Sequence, residues 1–504
     1  MNTHRAPLVV AAALLLGIAP AAHAETPQPD REAGQAAYQQ QCARCHGATG
    51  AGDGLDAKRL FPKPRDFTSG MYKFRTTASG TAPTDGDLFQ TITNGLPGSG
   101  MPDWGHLDEA TRWQLVYYLK TLSSAFADNP PQPITVGQNP GRKRVDLAQG
   151  KQVYEKLGCA ACHGAEGRAN GTSAPSLVDG WGLPTRPANL TEGWNYRGGA
   201  SPAAIVARVF AGIDGSVMPS YAEAATPEDV WQLAYYVESL QRQPRWAIIV
   251  RAPFLADGLP ASPDDPRWQR VVPVDIRLRN VVDANGELTA PTSVTTALLQ
   301  VAYNDEAINF RLQWDDATQD TAEAPDALAV FLRPPAVRGD VVSLQTWPLL
   351  KSAPALDLCF WSAGRPAAPG TPSPAGMGPA RSAARYDARE AVVRDVQPLV
   401  VGSESGVSLM SQAAYANGRW TLMLTRPLAQ PGVPEAAQLA AKQFLPIGLA
   451  VWDGANAGSH AVSTWVDVSL QGPTELVESK GSLMVVWIIS GIVLVVALAL
   501  AFRK

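Results

Sequence analysis

A large excess of charge of either sign is missing from this sequence. Its 504 residues carry 42 Lys and Arg against 46 Asp and Glu, a net charge of −4. Nucleic-acid binding wants a strongly basic face, so that class of partner is excluded. Catalytic furniture is missing too. No acid–base pair, nucleophile or phosphate-binding glycine loop stands out, and the scattered glycines read as turns. Cysteine is scarce, with five in all. Four of the five fall in two short runs, which leaves Cys359 alone between Leu358 and Phe360. A lone cysteine in so apolar a setting is expected to be a buried small hydrophobe.

The two runs are Cys42-Ala-Arg-Cys45-His46 and Cys159-Ala-Ala-Cys162-His163. A Cys-x-x-Cys-His run is the attachment site of a c-type haem. Each thiol adds to a vinyl group of the porphyrin, and the adjacent His becomes the proximal iron ligand. Half a zinc site and a redox dithiol share part of the pattern. The surrounding chain agrees with haem at several independent points. The cofactors expected are therefore two covalent haem c groups.

The termini suggest where such chemistry takes place. Residues 1–24 read as a signal peptide, with Arg5, an apolar stretch from Leu8 to Ile18 and the small-x-small Ala22-His23-Ala24. Without them the net charge is −5. Near the other end, Leu483 to Phe502 is an uncharged apolar run followed by Arg503 and Lys504. At 1.5 Å per residue it matches the hydrocarbon core, about 30 Å, and the basic end favours a cytoplasmic tail. The expectation is a single-pass protein on the periplasmic side of the bacterial inner membrane.

The first half is a repeat. The haem motifs lie 117 residues apart, and so do Met101 and Met218, each before a proline. Nearly identical helices follow, WQLVYYLKTL from Trp113 and WQLAYYVESL from Trp231. Gly34 with Tyr38 matches Gly150 with Tyr154, and Tyr72 to Arg75 resembles Trp194 to Arg197. A repeat this long is a duplicated domain rather than a solenoid unit. Each copy resembles the class I cytochrome c fold. In that family a Met before a Pro supplies the distal iron ligand, so the resemblance implies His46 with Met101 and His163 with Met218 as axial ligands. His/Met coordination raises the iron potential. It leaves no open site for substrate, which favours electron transfer. His106, close behind Met101, has no counterpart in the second copy and reads as a surface residue or an alternative ligand.

Beyond Gln243 the periodicity changes to two. Ile308, Phe310, Leu312 and Trp314 alternate with polar residues, and Tyr303 to Glu306 supply a hairpin turn. Strands are also expected at 272–282, 297–303, 327–332, 356–361, 419–425, 445–452 and 462–470. Eight or nine strands make an antiparallel β-sandwich the economical fold. Two stretches, Pro348 to Trp361 and Pro446 to Asn456 with Ser463-Thr464-Trp465, resemble the haem-b-binding subunit of ethylbenzene dehydrogenase and its relatives. The resemblance implies a non-covalent haem b between a Met and a Lys, and electrons drawn from a molybdenum enzyme. This chain departs from that pattern. Lys351 and His460 are the candidate ligands near the expected positions. A sandwich that has lost its haem and serves only for docking is the alternative.

The fold expected is multidomain: two all-α cytochrome c domains, one antiparallel β-sandwich and one C-terminal transmembrane helix. The boundaries expected are 25–128 and 145–243 for the haem domains, with a Pro-rich linker at 129–144. The sandwich is expected at 244–476 and the anchor at 482–502. The function expected is electron transfer, not catalysis. Its partners would be redox proteins, among them a molybdenum oxidoreductase or a membrane respiratory complex. A haem enzyme of peroxidase or thiosulfate-oxidising type, and a dihaem cytochrome with a carbohydrate-binding sandwich, are the competing readings.

Overall fold

The computed structural model describes residues 27–281, 287–288, 294–322, 324–333, 356–364, 387–396, 399–404, 409–429, 437–456 and 459–472. The expected leader 1–24, the expected anchor 482–502 and Lys351 lie outside them.

Among the described residues the helices come first. They are α1 Arg31–Gln41, α2 Ala43–His46, α3 Asp85–Asn94, α4 Glu109–Lys120, α5 Ala125–Asp128, α6 Leu147–Lys156, α7 Ala160–His163, α8 Pro202–Ala211 and α9 Pro227–Leu240. Their starts follow from side chains that accept the unpaired backbone N–H groups of a first turn. Asp30 accepts from Ala33 N, and Asp108 from Thr111 N. Thr84 and Asp87 form a reciprocal capping box. Thr226 accepts from Asp229 N, and Pro227 stands where its missing N–H costs nothing.

The repeat is visible as two helix crossings. α1 packs on α4 and α6 packs on α9. Gly34 and Gly150 sit at those contacts, where a Cβ would come within 2.4 Å of Gln114 O and 2.3 Å of Gln232 O. Only glycine lets the backbones approach so closely. Separate apolar clusters fill the two copies, one around Tyr38, Leu115 and Val116, the other around Tyr154, Val206 and Leu233. The Pro-rich connector is tied to both. Ile134 N donates to Thr76 O, and Trp231 Nε1 donates to Val136 O.

The strands are β1 Ile249–Ala252, β2 Val274–Asn280, β3 Thr296–Tyr303, β4 Ala307–Asp315, β5 Ala327–Leu332, β6 Leu356–Ser362 and β7 Asp387–Val396. After them come β8 Leu399–Glu404, β9 Met410–Tyr415, β10 Arg419–Pro427, β11 Phe444–Asp453, β12 Ser459–Ser463 and β13 Val466–Leu470.

Two parts of the expected architecture are corrected here. First, among the described residues no helix is long and apolar enough to cross a membrane. The expected transmembrane helix at 482–502 lies outside the described residues and is no part of the fold described here. Second, the β region is a mixed sheet rather than an antiparallel sandwich. Hydrogen bonds run unbroken through β8-β7-β6-β5-β11-β12-β2-β3-β4-β10-β9, with β13 beside β11 and β1 parallel to β13. The reason lies in β11. Its first residues pair with β13 and its last with β12, because the strand expected over 462–470 breaks at Thr464-Trp465. The break frees β12 to join β2 and so connect the two arms of the sheet.

The sheet curls over one core. Leu299, Phe310 and Trp420 from one arm share it with Leu328, Trp361 and Leu449 from the other. Trp314, Trp361 and Trp420 pack ring to ring with centroids 5.1–6.1 Å apart. Cys359 is fully buried beside them, as its context implied.

Candidate functional site

Each Cys-x-x-Cys-His run is a single turn of helix between a long helix and a glycine. Gly47 at φ +81° and Gly164 at φ +80° end those turns in the left-handed region. A tyrosine four residues before the first motif and five before the second locks each turn. Tyr38 Oη donates to Gly47 O at 2.8 Å, and Tyr154 Oη donates to Gly164 O at 2.6 Å.

The two histidines are clamped alike. His46 Nδ1 lies 2.9 Å from Arg65 O, and His163 Nδ1 lies 2.9 Å from Ala188 O. A carbonyl only accepts, so Nδ1 carries the proton and Nε2 keeps its lone pair. Burial pushes both imidazole pKa values down, which keeps the rings neutral at neutral pH. A neutral imidazole with Nδ1–H held by a backbone carbonyl is the oriented form that ligates iron. His46 is also stacked on Phe67, 4.5 Å between centroids.

The thiols speak against a redox dithiol. Burial and the neighbouring Cys45 push Cys42 up to about 12, and burial pushes Cys159 up to about 11. A redox dithiol needs an accessible thiolate near neutral pH. No disulfide joins the cysteines.

The methionines sit on matching turns. Leu96 N donates to Met101 O and Ile213 N to Met218 O, each at 3.0 Å. Met101 N donates to Ser99 Oγ and Met218 N to Ser216 Oγ, each at 3.2 Å. Both methionines are half-buried. Met218 and Cys159 pack against the same apolar cluster. Tyr221, three residues on, is close enough to Cys159 and Cys162 for their charges to act on it. His106 is exposed beside Trp104.

Haem fits this framework on a further count. Tyr72 Oη, Trp104 Nε1 and Trp194 Nε1 are buried donors without a hydrogen-bond partner. Tyr72 and Trp194 hold corresponding places in the repeat. Buried donors of this kind want an acceptor, and haem carries propionate carboxylates.

Sequence reasoning missed the joints between the units. Arg75 is fully buried, yet reaches into the second copy. Its Nη2 donates to Ala211 O at 2.9 Å and pairs with Asp214 at 2.8 Å. Ser79 Oγ and Gly80 N also donate to Asp214, at 2.8 and 2.9 Å. Asp214 belongs to the turn that carries Met218. A cavity of about 420 Å³ lies beside this joint, lined among others by Met71, Asp214 and Met218. The second copy is bolted to the sheet in turn. Arg242 pairs with Asp275. Arg168 and Asn189 of that copy reach Asp315 of β4, at 3.5 and 3.1 Å. The only signal for these joints was Arg75 in the repeated Tyr72–Arg75 stretch.

His460 lies on β12 directly across from Trp452, with rings 5.1 Å apart and 19° from parallel. Val462, two residues on, shares its face of the strand. That face belongs to a second apolar cluster of Ala327, Ala329, Phe331, Leu358, Ala450, Trp452 and Val462, separate from the main core. Lys351 is outside the described residues, so the two candidate ligands are not brought together here.

Comparison with known proteins agrees with this geometry. The family described as cytochrome C oxidase, cbb3-type, subunit III matches residues 29–119 and again 145–237. The ethylbenzene dehydrogenase family matches residues 345–463. A cbb3-type cytochrome c oxidase subunit CcoP from Azospirillum sp. (strain B510) is 33% identical over 218 residues, 41% of this chain and 61% of that protein. The one from Azospirillum brasilense is 29% identical over 214 residues, with the same coverage of each chain. The chain thus spans about six-tenths of the length of the curated relatives it matches. Among solved structures, the Kuenenia stuttgartiensis reducing HAO-like protein complex Kustc0457/Kustc0458 is 42% identical with a TM-score of 0.41, over 43% of this chain and 100% of that one. The family match and the curated relatives support a multihaem electron-transfer cytochrome. The chain carries two cytochrome c domains, which imply covalent haem c, together with a domain of the ethylbenzene dehydrogenase family.

Proposed function

We propose that the protein passes electrons one at a time between redox partner proteins at the periplasmic face of the bacterial inner membrane, through two His/Met-ligated c haems. Cys42 and Cys45 would bind one porphyrin, with His46 and Met101 as axial ligands. Cys159 and Cys162 would bind the other, with His163 and Met218. When bound, each haem supplies a one-electron Fe(III)/Fe(II) couple. The chain's own part is to orient each imidazole through a backbone carbonyl, present each thioether from a fixed turn and hold the two units together through Arg75. The duplicated clamp, His Nδ1 on a carbonyl at 2.9 Å in both copies, carries this reading.

Two matched Met turns leave no vacant coordination position in this scheme. The reduced protein should therefore bind carbon monoxide slowly and in substoichiometric amount. Met218→Ala should open one haem to rapid, stoichiometric binding. Rapid binding by the unaltered protein would favour a haem enzyme and overturn the proposal. The partners we favour are a membrane respiratory complex, since the curated relatives are named as cbb3-type cytochrome c oxidase subunits, or a molybdenum oxidoreductase, which the likeness to the ethylbenzene dehydrogenase family suggests. Leader-like residues 1–24 support export, and cell fractionation tests it.

A second reading concerns the sheet. The stacked Trp452–His460 pair on an apolar face supports a non-covalent haem b held there through His460, with Lys351 as the other candidate. His460→Ala should abolish any acid-extractable haem. An unchanged haem b content in that variant excludes His460 as its ligand.

A further inference from the structure

The end of β4 and the end of β11 bring three carboxylates together inside the β domain. Asp316, Asp326 and Asp453 are 2%, 0% and 1% exposed. One oxygen from each lies within 4.8 Å of the other two. Three ionised carboxylates this close and this dry repel strongly unless a positive charge or protons sit among them. The charges acting most strongly on Asp316 are its carboxylate neighbours Asp326, Asp453 and Asp320.

Among the described residues, the polar partners of Asp316 do not fill the need. Asp326 accepts from Gly454 N, Asp320 N and Trp420 Nε1, each at 2.9 Å. Asp316 Oδ1 accepts from Thr318 N at 3.2 Å. Asp316 Oδ2 has no hydrogen-bond partner, although its side chain is wholly enclosed. An orphaned, buried oxygen on a carboxylate that clusters with two others points to a ligand that accepts lone pairs. The backbone is shaped around the same spot. Gly454 lies so close to the loop after β4 that a Cβ there would be 2.1 Å from Ala324 O and 2.4 Å from Asp320 Cβ.

We propose that Asp316, Asp326 and Asp453 form the site of one hard divalent cation, namely calcium. The donor set is all oxygen, with no His or Cys in the cluster. That chemistry selects calcium, magnesium or manganese over zinc, copper or iron. Magnesium holds its waters and a near-ideal octahedron, whereas calcium tolerates irregular, carboxylate-rich cages. The cation would tie the loop 316–326 to the β11–β12 connection. Asp315, the neighbour of Asp316, takes Arg419 and Asn189 at 2.8 and 3.1 Å. Calcium would therefore set the seat of the second haem domain on the sheet, and the strand that presents His460.

The test uses the full-length haem-loaded protein. Metal analysis after gel filtration should find one calcium per chain, removed by EGTA. Terbium titrated into the stripped protein should give luminescence sensitised by Trp420, competed by calcium and not by equimolar magnesium. Adding calcium back should raise the melting temperature of the β domain by roughly 5 °C or more. Asp316→Asn should weaken calcium binding by about tenfold or more, and exposed Asp305→Asn should leave it unchanged. The terbium titration needs no variant, so a poorly folding Asp316→Asn does not remove the test. Absence of calcium together with silent terbium would overturn the proposal and leave a proton-sharing cluster. Unchanged affinity in Asp316→Asn would also overturn it.

Discussion

The helical half and the β half solve the burial of polar groups in opposite ways. In the helical half the haem-side clamps occur twice, and the longest, from histidine to carbonyl, spans 25 residues. A tyrosine sits four or five residues from its motif, a serine two residues from its methionine, a glycine at each helix crossing. In the β half the buried polar groups meet from distant strands and occur once. Asp357 of β6 and Arg426 of β10 form an ion pair with both side chains fully enclosed. Asp316, Asp326 and Asp453 converge from the ends of two strands and the loop between β4 and β5. Local, repeated devices leave a trace in one dimension. Devices assembled across a sheet do not.

The largest effect that separates the halves concerns haem. Cys159→Ser with Cys162→Ser should halve the covalent haem per chain, and the first haem should keep its spectrum. Loss of both haems would show that the copies are not independent units. Next comes Arg426→Met, which strands Asp357 in the core. Removing one partner of a buried pair costs about 3–5 kcal/mol, read as a lower melting temperature of the β domain alone. A haem domain that unfolds at the same time would erase the distinction.

Smaller effects sharpen the comparison between the two haem copies. Gly34→Ala and Gly150→Ala should each destabilise their own domain by about 1–3 kcal/mol, since a Cβ at 2.3–2.4 Å from a helix carbonyl must push the helices apart. Tyr38→Phe and Tyr154→Phe each remove one buried hydrogen bond, at about 1 kcal/mol. Denaturant unfolding followed at each haem's absorbance checks both pairs. Equal losses mean that the copies share one architecture. Unequal losses would show that the contacts of the second copy with the sheet compensate for the missing group.

The same contrast governs what was legible in advance. The haem motifs, the 117-residue spacing and the Met-Pro turns needed only residue identity and offset. The start of α9 was legible too, because Thr226-Pro227 is local helix-start chemistry. Strand β4 was legible from its alternation, and Leu356 to Trp361 from its apolar run. The single mixed sheet was not legible, since it depends on β11 serving two partners and on a break at Thr464-Trp465. Strands β1, β7, β8 and β9 were missed because their pairing, not their pattern, makes them strands. Arg75 looked like one more polar residue of a repeat. Its burial exists only once Ala211 and Asp214 are folded against it. The acidic cluster was hidden for the same reason, although Asp315, Asp316, Asp320 and Asp326 crowd one loop.

The central claim is a pair of covalently bound, fully ligated haems in the helical half. Haem quantified as the pyridine complex before and after acid extraction tests it most directly. The account predicts two non-extractable c haems per chain. One or none, with zinc or free thiols in place of the missing haem, would contradict it.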